Sequence, residues 1–386
     1  MRILFKAYSD DIWIGAVYYV KNIVYQFLEY AKTDKNHQYE VFIYTPKDKA
    51  DLFKFCCDYD NVHFIYAKER FWSKGESFLI RNLRELEWML RVYGKRIDYI
   101  YPSYSPKSIY RKKSISWIPD FQHVFYPEFF SKAEREFRDS YFTEIAKNHS
   151  KLVLSSQDSY DIYCRLYPEC KKNVGIVHFV SAIDENDINE DIKPILKKYN
   201  ISDDNYFLVS NQFYRHKNHK CLIEAVRIAK EEKNTNIRVI CTGLTQDSKD
   251  PKFFGEVVEL INRYNLKENI RILGLIPRNE QLTLMKYAIA VVQPSLFEGW
   301  GTSTEDAKTL GKITVLSDIP VHREQADERT TFFKRESYYE LCDKMSSLWE
   351  EYYNQPKIYG FKINKAFEYG QQFVKMINCY EDSYAE

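Results

Sequence analysis

The sequence predicts an α/β protein of two doubly wound parallel-sheet domains facing a central cleft. Three observations predict it. Short apolar runs alternate with longer amphipathic ones along most of the chain, the pattern of parallel strands joined by covering helices. At 386 residues the chain exceeds one ordinary core, which makes two domains the default. A polar, acidic stretch from Ser181 to Asp204 interrupts the alternation and reads as a linker with one short helix inside.

In the first half the strand-like runs are Ile3–Ala7, Tyr39–Tyr44, Val62–Tyr66, Tyr99–Tyr101, Ser114–Trp117 and Leu152–Leu154. Helical periodicity lies between them at Ala16–Tyr30, Ser77–Tyr93 and Ala133–Lys147. The second half repeats the theme with Phe207–Val209, Ile237–Cys241, Ile270–Leu273, Ile289–Val292 and Ile313–Leu316. Its helices fall near His219–Lys233, Phe254–Tyr264, Glu280–Tyr287 and Thr304–Leu310, and Ser337 to Tyr384 is helical in pattern without a further strand. The expected division is residues 1–180, residues 181–365, and a last helix at 366–386 packing back on the first domain.

Composition narrows the function. With 56 Lys+Arg against 55 Asp+Glu, net charge +1, the chain lacks the basic excess of a dedicated nucleic-acid binder. Its 45% hydrophobic and 29% charged residues are those of a globular protein. Eight cysteines without CxxC spacing, no signal-like start and no apolar run of about 20 residues give the expectation of a reduced, cytoplasmic protein. The 32 Tyr and 25 Phe suit sugar or interfacial contacts and equally suit ordinary cores. From Arg70 to Arg96, basic and aromatic residues interleave; the segment reads either as a salt-bridged surface helix or as a contact with the inner face of a membrane.

One stretch reads as chemistry: Pro294-Ser-Leu-Phe-Glu298-Gly299-Trp300-Gly301-Thr302-Ser303-Thr-Glu305-Asp306, running on to Gly311. It joins a strand to a helix, and a helix N-terminus after a glycine turn presents unpaired N–H groups to an anion. Carboxylates bracketing that turn suit hydroxyls rather than phosphate. A ligand with both phosphates and hydroxyls is a nucleotide sugar. Thr302-x-x-Glu305 and Ser303-x-x-Asp306 also spell capping boxes, which leaves a purely structural role open for both acids.

This segment resembles the signature of the retaining GT-B glycosyltransferases of family 4: a Glu, a glycine turn, a second Glu eight positions on, and a small-residue helix ending in Gly. A gapless match places Asp306, not Glu305, at the second acidic position. The resemblance implies two Rossmann-like domains, with Glu298 on the donor sugar and the backbone of Gly299 to Thr302 on sugar and diphosphate. A second motif, Asn211-Gln212-Phe-Tyr-Arg215-His-Lys217, stands where the family places an Arg and a Lys five residues apart; Lys217 matches and Gln212 replaces the Arg. Arg215 is the candidate substitute, and both cations also fit solvated loop positions. Leu273-Gly274-Leu-Ile276-Pro-Arg278 matches the turn lying against the base, and Thr242-Gly243 matches a position near the nucleotide.

In the first half, Gly15 fits the family's glycine loop after the first strand, with Ala16 at the usual second glycine. The segment Trp117-Ile-Pro119-Asp120-Phe-Gln-His123 resembles one where many relatives carry His-Asp facing the donor sugar. Here Pro119 replaces that His, Asp120 remains as a sugar contact or an N-cap, and His123 is the nearby alternative. The resemblance implies retaining, metal-independent transfer from a UDP- or GDP-sugar to a hydroxyl of a saccharide or lipid-linked saccharide. It implies no cofactor beyond the donor. A sugar-nucleotide epimerase and a non-catalytic glycosyltransferase-like subunit remain as alternatives.

Overall fold

The computed structural model describes residues 1–7, 14–57, 59–67, 92, 94–103, 113–189, 191–202, 205–247, 250–353, 355, 360 and 365–378. Two parallel sheets organise them. The first holds β1 (Arg2–Lys6), β2 (Glu40–Pro46), β3 (Val62–Ala67), β4 (Tyr99–Ser103), β5 (Ser114–Ile118), β6 (Lys151–Leu154) and β7 (Val174–Ile176), in the order β3-β2-β1-β4-β5-β6-β7. The second holds β8 (Phe207–Ser210), β9 (Val239–Thr242), β10 (Ile270–Gly274), β11 (Ala290–Gln293), β12 (Ile313–Ser317) and β13 (Thr330–Phe333), in the order β10-β9-β8-β11-β12-β13. Both are doubly wound, and each reverses direction once, between β1 and β4 and between β8 and β11. Strands β5, β6, β8, β9 and β11 are buried at every residue, which explains why they read as continuous apolar runs: helices cover both faces.

Sequence reading missed β7 and β13. Each is a short strand of three or four residues at a sheet edge, with little apolar signal of its own. The candidate helix Ser77–Tyr93 and most of the Arg70–Arg96 segment lie outside the described residues. No described helix is long and apolar enough to cross a membrane.

The last described helix, Ala366–Asn378, lies on the first helix, Ile14–Ala31. Phe373, Val374 and Ile377 join the core that holds Phe5, Phe27 and Tyr101, so the chain's C-terminal end returns to the first sheet. The two helices touch through Gly370, where an added Cβ would sit 2.1 Å from the Gln26 carbonyl oxygen. Gly370→Ala is therefore expected to push the helices apart and cost about 1–3 kcal/mol, as overpacking does. A lowered Tm by calorimetry checks it; an unchanged Tm would mean the helix is not held there.

Candidate functional site

Lys217 and Glu298 come from the two adjacent strands at the switch point of the second sheet. After β8 the chain runs through the short 3₁₀ turn Arg215–Lys217 into the helix His219–Glu231, and Asn218 makes the junction at φ 54°. After β11 the chain makes the Pro294–Gly301 turn, and the Leu296 N–H donates to the His216 carbonyl at 2.7 Å, tying the two turns together. Lys217 Nζ then donates to Glu298 Oε1 at 2.5 Å, and Ser295 Oγ donates to the same oxygen at 2.7 Å. Burial alone would raise the Glu298 carboxyl; the Lys217 ammonium, with His216 and His322, outweighs it and brings the pKa down to about 2. Buried His322 donates from Nδ1 to the Ser317 carbonyl at 2.8 Å, and Ser317 Oγ donates to the Ser295 carbonyl at 2.5 Å.

Just beyond the turn, the helix Thr302–Thr309 begins with Gly301 as its N-cap and no side-chain cap. Neither capping box forms. Gln325 clamps Gly301 instead, accepting from its N–H and donating to its carbonyl, both at 3.1 Å. The first-turn N–H groups, from Thr302 and Ser303 onward, thus remain directed out of the helix end, where the dipole favours an anion. Ser303 Oγ donates to the Ser210 carbonyl at the end of β8, holding this helix against the switch point.

The neighbouring strand ends are equally close. Gly243 lies at φ 138°, where a Cβ would meet the Asn211 carbonyl oxygen at 2.1 Å, and its N–H donates to the Gly274 carbonyl at 2.8 Å. Gly274 is at φ 71°. Ile276 packs on the cluster of Ile240, Leu282 and Leu310. Arg278 forms a two-pronged pair with Asp306, at 2.7 and 2.5 Å, and its guanidinium lies over the Tyr18 ring at 5.2 Å.

The two acidic candidates part company here. Adjacent residues on a helix point about 100° apart. Asp306 faces Arg278 and Ser181, whose hydroxyl donates to it at 2.6 Å. Glu305 is turned the other way, buried against Gln325 at 2.9 Å and Lys308 at 3.0 Å. Burial raises its carboxyl despite those partners. Glu305 is therefore an internal hydrogen-bonding group, and Asp306 is the acid beside the Gly274–Arg278 turn.

The first domain closes over the turn. At Gly299 a Cβ would lie 2.0 Å from the Pro119 carbonyl oxygen and 3.2 Å from Asp120 Cβ. Asp120 accepts from the Gln122 N–H and from Arg138, both at 3.0 Å, and is held below the usual carboxylate range: burial works against ionisation, and Arg138 overcomes it. His123 is not brought to the cleft. Its ring packs edge-on against Phe130 and Phe142, Nε2 lies 3.1 Å from Asp139, and burial lowers its pKa. Gly15 is exposed at the start of the first helix, and residues 8–13 before it lie outside the described residues.

One further expectation changes. Arg215 does not stand free for a ligand: it pairs with Asp250 and, at 3.0 Å, with Glu256. The Trp300 side chain, whose expected role lay in its backbone, anchors the domains, donating to the Phe179 carbonyl at 3.0 Å and stacking on His178 at 4.6 Å. His219, two residues after Lys217, is buried under Phe213 and kept neutral by burial. Among the described residues no group of three metal-type side chains comes together.

A cavity of about 420 Å³ opens between the domains at Lys217 and Asp120. Sequence reading missed Ser295, Ser317, His322, Gln325 and Arg138; all but Ser295 reach the site from other elements, Ser317 from the end of β12, His322 and Gln325 from the helix Pro320–Gln325 and Arg138 from the helix Lys132–Asn148. Only Ser295, three residues before Glu298 in the same turn, had a local signal.

The Glu298 shift has a consequence for stability. A carboxyl whose folded pKa is near 2, against an ordinary 4.5, stabilises the fold above pH 4.5, and that contribution is lost as pH falls towards 2. Glu305, raised, has the opposite sign and favours the fold more at low pH. Glu298→Gln should therefore flatten the acid side of the Tm–pH curve, whereas Glu305→Gln should steepen it; identical curves would contradict the pairing.

Comparison with known proteins agrees with this architecture. Over 99% of both chains it superposes on the Anabaena protein HepE in complex with UDP and glucose, with a TM-score of 0.64 at 16% identity. The fold is GT-B. Residues 191–362 match the family of glycosyl transferases group 1. The capsular polysaccharide biosynthesis glycosyltransferase CapH of Staphylococcus aureus is 25% identical over 177 residues, 46% of this chain and 43% of CapH. The O-antigen chain mannosyltransferase B of Escherichia coli is 24% identical over 249 residues, 63% of this chain and 62% of that protein. The matched stretches thus span about half of these relatives' lengths.

Proposed function

We propose that this GT-B protein is a glycosyltransferase of polysaccharide biosynthesis, moving a sugar from a UDP- or GDP-sugar to a saccharide hydroxyl with retention at the anomeric carbon. The observation that carries it is the Lys217–Glu298 pair at the switch point, set beside the uncapped helix end at Gly301 and under the first domain's Pro119–Asp120. A nucleoside diphosphate leaves with growing negative charge on its β-phosphate. Lys217 and the N–H groups after Gly301 stand ready to receive that charge.

Glu298, ionised and fixed by Lys217 and Ser295, accepts hydrogen bonds from the donor sugar's hydroxyls. Asp306, across from Arg278, serves the ribose once the donor displaces part of that pair, and Gly274–Ile276 lie along the base. In the transfer the bond from the anomeric carbon to the β-phosphate oxygen breaks. The bond to the acceptor oxygen forms on the same face, and the acceptor's proton leaves with the departing diphosphate. The sequence resemblance supports retention, and the relatives named above support a polysaccharide acceptor.

The test is a thermal-shift screen against UDP-, GDP- and dTDP-sugars, followed by NMR of the product formed with saccharide acceptors. One donor class should raise Tm, since a ligand at about 100 times its Kd stabilises by about 2.7 kcal/mol. The product should keep the donor's anomeric configuration, and turnover should survive EDTA. Isomerised donor without acceptor would favour the epimerase, and absence of any donor binding would remove the reading.

A further inference from the structure

We infer that Glu324 is a positioning residue that latches the first domain to the Gly301 turn, so that domain docking and diphosphate binding strengthen each other. This rests on the glycosyltransferase reading of the neighbouring site. Among the described residues the Glu324 carboxylate bonds to Gln157 and His178, and it does not line the cavity at Lys217. It acts through its neighbours on one short helix, Pro320–Gln325, which follows β12.

On one side Glu324 holds the first domain at two places. Gln157 opens the helix Gln157–Leu166, and its N–H donates to both Glu324 oxygens, at 2.7 and 2.9 Å. A carboxylate placed there meets the positive end of the helix dipole. His178 Nε2 donates to Glu324 Oε1 at 2.6 Å, and Gln26 of the first helix holds the His178 carbonyl at 2.9 Å. The two side chains are 17% and 19% exposed, so solvent screens their contact only in part. His178 Nδ1 is buried without a partner among the described residues. Loss of Glu324 therefore leaves that ring with no hydrogen bond on either nitrogen.

On the other side, the next residue completes the path. Gln325 bonds both backbone groups of Gly301, the N-cap of the helix whose first N–H groups are directed outward. Trp300, the residue before Gly301, stacks on His178. A shift of the first domain at Glu324 or His178 thus reaches Gly301 from two directions, through Gln325 and through Trp300. A diphosphate at the helix end would fix the same residue. Two events that favour one arrangement of Gly301 favour each other equally, by linkage.

The experiment is calorimetric titration of UDP and GDP, each beside its nucleoside, into the full chain and its Glu324 variants, with small-angle scattering of each chain without ligand. Glu324→Ala should weaken the nucleoside diphosphate that binds by about fivefold or more, and its nucleoside by less than about twofold. Its radius of gyration should rise. Glu324→Gln, which can still accept from the Gln157 N–H, should weaken the diphosphate less, and it carries the test if Glu324→Ala does not fold. Adding His178→Ala to Glu324→Ala should cost less than about twofold more, as members of one contact behave. Equal weakening of diphosphate and nucleoside would overturn the proposal, since it would leave Glu324 a structural role only. Unchanged diphosphate affinity, or full additivity with His178→Ala, would overturn it as well. If the wild-type chain binds neither nucleotide, the donor reading fails by itself and the coupling falls with it. The latch between the domains is then upheld by the larger radius of gyration and refuted by an unchanged one.

Discussion

Lys217→Ala is expected to lower the rate of sugar transfer by about 10²–10³-fold at saturating donor, the usual loss when one pre-set charge-stabilising group is removed. The effect should be large because the same turn offers no substitute cation. Gln212 is neutral where the resemblance expects an arginine, and Arg215 is held by Asp250 and Glu256. The substitution also strands Glu298, 8% exposed at its side chain, without its cation. Breaking a buried pair in this way costs about 3–5 kcal/mol, so Tm must be read beside kcat. The double variant Lys217→Met with Glu298→Gln separates the two effects: it should recover most of the lost Tm and none of the activity. Recovery of activity together with Tm would show that Lys217 acts only through stability.

Gly299→Ala should be nearly as damaging, for a different reason. A methyl group there would stand 2.0 Å from the Pro119 carbonyl oxygen, so the first domain cannot close on the Glu298 turn as it does in this structure. Catalysis depends on reacting groups placed to within a fraction of an ångström, and a displacement of about 1 Å can cost about 10²-fold. Each domain keeps its own core, since the clash lies only between them. The expected result is loss of turnover with donor affinity of the second domain largely kept, and a larger radius of gyration by small-angle scattering. Full activity in this variant would show that the contact is not part of the working state.

The sequence made the scaffold legible because parallel strands buried on both faces leave continuous apolar runs. Lys217 and Glu298 were legible because each sits in a turn directly after such a run. What stayed hidden is set by tertiary geometry. Whether Glu305 or Asp306 faces Arg278 depends on a helix rotation of about 100°, which both capping-box readings obscured. His123 follows Asp120 by only three residues, yet its ring is drawn away into the contact with Phe130 and Phe142. Arg138 pairs with Asp120 from the helix Lys132–Asn148, and Trp300 proves to be an interdomain anchor; neither relation has a local signal.

On the proposed function, the Lys217–Glu298 turn pair receives the diphosphate of a nucleotide sugar. Calorimetric titration of UDP and GDP, each beside its free nucleoside, into the wild-type chain and Lys217→Ala decides this. One nucleoside diphosphate should bind the wild type more tightly than its nucleoside, and Lys217→Ala should erase most of that difference while sparing the nucleoside. Diphosphate binding that is absent, or that persists unchanged in Lys217→Ala, would contradict it.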